Sequence, residues 1–279
     1  MDRLTRFPSL WRFALRASHY IYRAGEQREE AVRSLLQLQQ DIAADRLDRT
    51  VHDGYSGGAG EKSKWLLYKK LFTSSESNEK VFRKDAIRDK VVALRPQQFL
   101  NFGCLYGWLE NELAQAGIEA HGIDRSDETK KLNEQEFRFG KYHAADIFTF
   151  LEQNPDLTRD AMLATINTGV YFLPKFLTHL YETAYRTGVD SILIWEPWGR
   201  SRIDGEYQTI DPAIDLPPKI FRGPMLLHNY ARLLQRAGYV NLVHNEIVKP
   251  PHPHPDFRSV FLVATRQSQP IAATPNIVS

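Results

Sequence analysis

The chain has 279 residues, of which 42% are hydrophobic and 25% charged, and its formal net charge at pH 7 is +2. This composition predicts a globular protein with one large core, and the near-neutral charge argues against nucleic acid as a partner. A single cysteine, Cys104, excludes an intramolecular disulfide and favours a cytoplasmic location, and no apolar run is long enough to span a membrane.

Residues 1–77 are predicted to form a helical extension. A helix over 8–24 combines apolar residues with a narrow cationic face. That face consists of Arg12, Arg16, His19 and Arg23. Such a helix packs on its own domain in most proteins, but it also suits peripheral contact with an anionic membrane, or a targeting peptide. Packing on the domain is the favoured interpretation, and membrane contact stays open.

Two further helices are predicted in the extension, over residues 26–49 and 61–72, on either side of a glycine-rich loop at 53–60. The loop has four glycines within seven positions. It is either a flexible connector or a hinge over a binding site.

Between residues 78 and 267, strand and helix patterns alternate regularly. Predicted helices cover 80–94, 108–116, 126–139, 148–153, 175–187 and 225–237. Predicted strands end at Phe102 and Asp124, and others cover 142–147, 161–166, 191–195, 239–248 and 259–266. This order predicts an α/β fold with a doubly wound, mostly parallel, seven-stranded sheet (Rossmann-like) and a terminal antiparallel hairpin. Residues 268–279 are predicted to be a flexible tail.

The most informative segment is 99–107, where an apolar strand ends in a turn bounded by Gly103 and Gly107 and a helix follows at once. Glycine lets the backbone approach a ligand closely, and Asp124 ends the next strand, where a carboxylate can hold ribose hydroxyls. The segment therefore predicts a nucleotide-binding βαβ unit. A dinucleotide-binding dehydrogenase would need G-x-G-x-x-G, and the spacing of these two glycines lacks that phosphate-cradling turn.

The ordered set of Gly103, Asp124, Asp146 and the terminal hairpin resembles class I S-adenosyl-L-methionine-dependent methyltransferases, over about residues 78–267. The resemblance implies S-adenosyl-L-methionine as the cofactor, with the turn near its methionine part, Asp124 on the ribose and Asp146 near the adenine amino group. The cofactor-binding residues that it implies are Asn101, Gly103, Cys104, Gly107, Asp124, Arg125, Asp146, Ile147 and Asn167.

Two positions depart from the family pattern. Asn101 stands where the family usually carries an acid, and Leu105 stands where it usually carries a glycine. Asparagine still donates and accepts hydrogen bonds, but it lacks the charge that would help hold the cofactor's ammonium. The altered turn leaves open an alternative of another class, a catalytically silent methyltransferase-like scaffold.

Transfer of a methyl group to a hydroxyl needs a positioned acceptor and a base. The candidates are Glu196, directly after the fifth predicted strand, His228, at the start of a helix, and Tyr171, after the fourth strand. Each has a structural alternative: Glu196 caps a helix or pairs with Arg200 or Arg202, His228 faces solvent, and Tyr171 is a pocket wall.

The connection 200–224 is too long for an ordinary loop, so we expect a lid over a small-molecule acceptor. An Asn/Asp-Pro-Pro-aromatic motif, frequent where nucleic acid or protein nitrogen is methylated, is absent at residues 167–170. Oxygen is therefore the favoured acceptor atom, and a small-molecule nitrogen is the alternative. No metal site is expected, and a homodimer stays open.

Overall fold

The computed structural model describes residues 84–201, 205–220, 225–248 and 258–266, together with five positions between 62 and 69 that are helical, as predicted. Those five are Lys62, Trp65, Leu66, Tyr68 and Lys69. The helices predicted over 8–24 and 26–49, the glycine-rich loop and the tail lie outside the described residues.

Seven helices and nine strands are numbered here along the described parts of the chain. Helices α1 to α7 span Lys84–Leu94, Trp108–Gln115, Asp127–Glu136, Ile147–Gln153, Pro155–Thr158, Pro174–Arg186 and Tyr230–Arg236. Strands β1 to β9 span Gln98–Phe102, Glu119–Asp124, Lys141–Ala144, Met162–Ile166, Ser191–Trp198, Lys219–Ile220, Leu226–Leu227, Asn241–Val248 and Arg258–Thr265. A 3-10 turn follows β4 at Gly169–Tyr171.

Seven of the strands form one sheet in the order β3-β2-β1-β4-β5-β9-β8. Strands β1 to β5 are parallel, and β9 runs antiparallel to both β5 and β8. The predicted fold class is confirmed. Because the chain moves outward from β1 to β3 and returns on the other side of β1, the topological switch point lies between β1 and β4. Ligands of open α/β sheets bind at the carboxyl ends of the strands near that point.

Two apolar clusters cover the faces of the sheet. Successive strand residues point to opposite faces, so Leu100 and Leu163 belong to one cluster and Phe99 and Met162 to the other. The first cluster packs against α4, α6 and α7, and the second against α1 and α2. Strands buried on both faces are held rigidly, which fixes the loops at their carboxyl ends. No helix among the described residues is both long and apolar enough to cross a membrane.

Two predicted boundaries, at the end of β5 and at the start of α7, were wrong. Strand β5 continues to Trp198 because β9 pairs along its whole length, so Glu196 lies inside the strand, opposite Val260, and not after it. The helix predicted over 225–237 begins only at Tyr230. Asn229 caps it, and the preceding residues Leu226–Leu227 pair with β6. His228 therefore precedes the helix.

Candidate functional site

The turn after β1 approaches β4 closely. Gly103 has a φ of +74°, in the left-handed region that favours glycine. A Cβ at this position would lie 2.5 Å from Cγ2 of Thr168, and the Gly103 N–H donates to the Ile123 carbonyl at 2.8 Å. A larger residue would strain the turn and displace Thr168, so glycine is required where β1 meets β4.

Leu105 keeps the backbone conformation of a glycine although it carries a side chain. Its φ is +38°. Its N–H donates to Oδ2 of Asp124 at 3.3 Å, and its carbonyl accepts from Nδ2 of Asn133 at 3.0 Å. Hydrogen bonds from β2 and α3 thus impose the path of the turn on a residue that disfavours it.

Asn133 joins the turn to the N-terminal extension. Its buried Oδ1 accepts from the Gly107 N–H at 3.1 Å and from the Trp65 Nε1–H at 2.7 Å. The Tyr142 hydroxyl donates to the Gly107 carbonyl at 2.6 Å. A Cβ on Gly107 would lie 2.1 Å from the Tyr142 ring, so this glycine is required for packing. Three elements therefore fix the far end of the turn.

Two carboxylates follow β2 and β3. Asp124 ends β2, where its Oδ1 accepts from the Ser126 N–H at 3.1 Å while its Oδ2 faces the turn. Asp146 is exposed and caps α4, with Oδ1 accepting from the Phe148 N–H at 3.0 Å. Both lie at the carboxyl edge of the sheet, and the ribose and adenine contacts that the resemblance implies for them stay predictions.

The remaining residues named for the cofactor differ in exposure. Arg125 is exposed beside Asp124, whereas Ile147 is buried in the core at the start of α4. Asn167 directly follows β4 with a left-handed φ of +53°, which asparagine tolerates well. Cys104 is buried in the turn, and burial raises the pKa of its thiol well above the usual value, which keeps it neutral and unreactive.

A buried pair beneath the turn was missed by the sequence analysis. Nδ2 of Asn101, in β1, donates to Oε1 of Glu110, in α2, at 2.6 Å, and both side chains are buried. Burial raises the pKa of the Glu110 carboxyl to about 7, although the bond from Asn101 lowers it. The available signal was an acid between Leu109 and Leu113, on the inward side of an otherwise apolar helix.

Glu196 shapes the turn after β4. Its buried carboxylate accepts from the N–H groups of Thr168 at 3.0 Å, Gly169 at 2.7 Å and Val170 at 3.4 Å. Burial raises the pKa of Glu196 to about 7, against these amide bonds, which lower it. The alternative prediction of an ion pair with Arg200 fails, since that guanidinium lies over the Tyr207 ring at 4.5 Å, and Arg202 lies outside the described residues.

His228 is buried, so the alternative prediction that it faces solvent was wrong. Burial lowers the pKa of its imidazole to about 3, and a hydrogen bond with the Phe172 backbone opposes that shift. Among the described residues, neither its Nε2 nor the Tyr230 hydroxyl has a hydrogen-bond partner. Tyr171 is half-buried in the 3-10 turn, and its N–H donates to the Thr168 carbonyl.

No protein-family model matches this chain, and no curated protein matches it. Among solved structures, the magnesium protoporphyrin IX methyltransferase of Synechocystis PCC 6803, with bound S-adenosylhomocysteine, is similar over 75% of this chain and 96% of that chain, at 12% identity and a TM-score of 0.52. The chain has the class I methyltransferase fold.

A TehB-like S-adenosylmethionine-dependent methyltransferase from Corynebacterium glutamicum also matches, over 74% of this chain and 98% of that chain, at 14% identity and a TM-score of 0.49. Within the methyltransferase fold of this protein, Gly103, Asp124, Asp146 and Asn167 follow four neighbouring strands. The carboxyl edge of the sheet thus brings together the residues that the sequence singled out one by one. Glu196 and His228 are buried near the turn after β4.

Proposed function

We propose that this protein is an S-adenosyl-L-methionine-dependent methyltransferase that methylates a hydroxyl of a small molecule. The observation that carries the proposal is the carboxyl edge beside the switch point, where a close-approach turn and two carboxylates follow three adjacent strands. Sites of this form bind nucleotide cofactors in open α/β sheets.

The residues present fit that cofactor. Glycine at position 103 lets the turn pass close to Thr168, because a Cβ there would clash with that side chain. Asp124 is held at the end of β2 by the Ser126 amide, so its carboxylate is oriented to accept from ribose hydroxyls. Asp146 is exposed after β3, at the N-terminus of α4, where its carboxylate would accept from the adenine amino group. When bound, the cofactor would supply an electrophilic methyl group.

The chain's own residues would orient the acceptor. Glu196 holds three successive amides of the turn after β4, so we assign it as a positioning residue for the place where cofactor and acceptor would meet. That turn is rigid because its N–H groups are satisfied internally, and a rigid turn favours the in-line geometry that methyl transfer needs. The catalytic role considered for Glu196 stays a prediction.

His228 is the residue we favour for contact with the acceptor hydroxyl. Its ring bonds to the Phe172 backbone and leaves Nε2 without a partner among the described residues, so this nitrogen can accept a hydrogen bond. Burial holds its pKa near 3. Such an imidazole is a weak base, so its role is to orient the hydroxyl, with Tyr171 as a wall of the pocket.

The proposal that the acceptor atom is an oxygen and not a nitrogen rests on the turn after β4. Residues 167–170 lack the Asn/Asp-Pro-Pro-aromatic sequence, and the amides of Thr168, Gly169 and Val170 donate to Glu196. A small-molecule nitrogen is the second candidate, since a neutral imidazole also orients an amine. Membrane contact through residues 8–24, a homodimer and a cytoplasmic location stay predictions.

A methyl-transfer assay tests the proposal. The purified protein is incubated with S-adenosyl-L-methionine and two matched panels of small molecules, one of alcohols and phenols and one of amines. Mass spectrometry then follows methylated product and S-adenosylhomocysteine. We expect product from the hydroxyl panel, lost in Asp124→Ala. Cofactor binding without product from either panel would favour the silent scaffold, which the changes at Asn101 and Leu105 suggest.

A further inference from the structure

The Asn101–Glu110 pair has two acceptor oxygens without partners. The hydrogen bond between the side chains uses Nδ2 of Asn101 and Oε1 of Glu110. Among the described residues, Oδ1 of Asn101 and Oε2 of Glu110 accept no hydrogen bond. Asn101 is 6% exposed and Glu110 0%. Buried polar atoms are nearly always satisfied. The neutral Glu110 carboxyl carries an O–H donor of its own, but once this carboxyl is ionised both orphaned oxygens need a donor that the described residues do not supply.

The chemistry of the missing donor follows from the two oxygens. An amide carbonyl and a carboxyl oxygen both accept, and the carboxyl also carries negative charge when it is ionised. A cationic group with several N–H donors satisfies both oxygens at once and offsets the cost of burying the charge. An alkyl ammonium is such a group.

The position of the pair in the fold indicates which ammonium group it would bind. Asn101 lies two residues before Gly103, and Glu110 lies in the first turn of α2, directly after Gly107. The pair therefore flanks both ends of the turn that the family resemblance places near the methionine part of the cofactor. We propose that Glu110, oriented by Asn101, binds the α-ammonium of the cofactor and supplies from α2 the carboxylate that β1 lacks.

This inference rests on the proposed function and adds a residue to it. The side chains around Glu110 are consistent with a cation there. The titratable groups near it include the Cys104 thiol of the turn and the Tyr142 phenol of β3, and burial first, then the charge of Glu110, raises the pKa of each. Arg88 of α1, which packs on α2, pairs with Asp89 and Glu112. A positively charged group can therefore lie next to Glu110 without repulsion from these residues.

Two ligands separate this role from a structural one. S-adenosylhomocysteine carries the α-ammonium, whereas 5′-methylthioadenosine has the same adenosine and thioether but no amino-acid part. Calorimetry should show that Glu110→Gln weakens binding of S-adenosylhomocysteine by roughly ten- to a hundredfold, the usual effect of losing a charge-assisted hydrogen bond. Binding of 5′-methylthioadenosine should be unchanged. Glu112→Gln, on the same helix, is the matched control and should leave both affinities unchanged.

A double variant that moves the acid from α2 to β1, and titrations at several pH values, test the inference further. Asn101→Asp combined with Glu110→Ala moves the acid to the strand and should recover most of the lost affinity for S-adenosylhomocysteine. In the unaltered protein, affinity for this ligand should rise between about pH 5.5 and 7.5, because an adjacent ammonium favours the ionised carboxyl. Glu110→Gln should abolish the rise.

The outcomes that would overturn the inference are distinct from those that would overturn the proposed function. Glu110→Gln binding both ligands as the unaltered protein does, or losing both equally, contradicts an ammonium site while leaving the cofactor in place. Failure of the unaltered protein to bind either ligand contradicts the proposed function, and the ammonium site with it. Unfolding curves without ligand verify that each variant is folded.

Discussion

Among the described residues, two glutamates are buried, one on each side of the switch point, and they differ in their partners. Glu196, in β5, gives both carboxylate oxygens to three amides of the turn after β4. Glu110, in α2, receives one side-chain hydrogen bond, from Asn101, and its own backbone N–H also lowers the pKa of its carboxyl, whereas its Oε2 has no geometric partner among the described residues. Burial raises the pKa of each to about 7.

This difference in hydrogen-bond partners distinguishes a carboxylate with a structural role from one that binds a ligand. A buried carboxylate whose oxygens are satisfied by backbone amides stabilises a local conformation. A buried carboxylate with an orphaned oxygen costs free energy in the free protein and is retained where a ligand satisfies it. Glu196 therefore stabilises the turn after β4, whereas Glu110 is the carboxylate that we propose for the cofactor's ammonium.

The largest effect is expected at Glu196. Glu196→Ala leaves the N–H groups of Thr168, Gly169 and Val170 without their acceptor, which should cost about 3 kcal/mol or more of unfolding free energy. Urea denaturation measures the loss. Glu182→Ala, an exposed position on α6, is the control and should change stability by less than about 0.5 kcal/mol. A stable Glu196→Ala that had lost only methyl transfer would indicate a catalytic carboxylate instead.

The next effect is the pH dependence of stability at Glu110. Its folded pKa, about 7, lies above the value of 4.5 for an exposed glutamate. The unfolded chain releases this proton first, so stability should fall as pH rises from 4.5 to 7 and level off above. Glu110→Gln should remove on the order of 2–3 kcal/mol of that fall. Glu196 adds a fall of the same sign to both proteins, so the difference between their curves reports Glu110 alone.

A smaller effect is expected at Trp65, which ties the N-terminal extension to the cofactor end. Trp65→Phe keeps an aromatic ring against Tyr106 but loses the N–H that donates to Asn133. We expect a loss of about 1 kcal/mol in stability and a severalfold weaker affinity for S-adenosylhomocysteine. Calorimetry and urea denaturation measure the two. Unchanged affinity would mean that Asn133 holds the turn without this bond.

The smallest effect is expected at Leu105, whose φ of +38° is unfavourable for a residue with a Cβ. Leu105→Gly and Leu105→Ala both remove the leucine side chain beyond Cβ, but only glycine removes the unfavourable backbone strain. The glycine variant should be more stable than the alanine variant by about 1 kcal/mol, measured by thermal unfolding. The reverse order would show that the turn does not strain its backbone.

The fold followed from the sequence because its signals are local. Alternating apolar patterns placed β1 to β4 within a few residues, and two glycines marked the turn. The missed features depend on contacts between distant segments. Strand β5 is extended by pairing with β9, and the bond between Asn101 and Glu110 joins two elements across the turn. The conformation of Leu105 is imposed by Asp124 and Asn133, against the preference of its residue type.

A calorimetric titration with S-adenosylhomocysteine tests most directly whether a cofactor site lies at the carboxyl edge of β1 and β2. The unaltered protein is compared with Asp124→Ala and with Asp127→Ala, an exposed acid in the first turn of α3 that serves as the control. The account predicts micromolar binding by the unaltered protein and the control, and a loss of roughly tenfold or more in Asp124→Ala. Absence of binding by the unaltered protein, or equal binding by all three, would contradict a cofactor site at the carboxyl edge of β1 and β2.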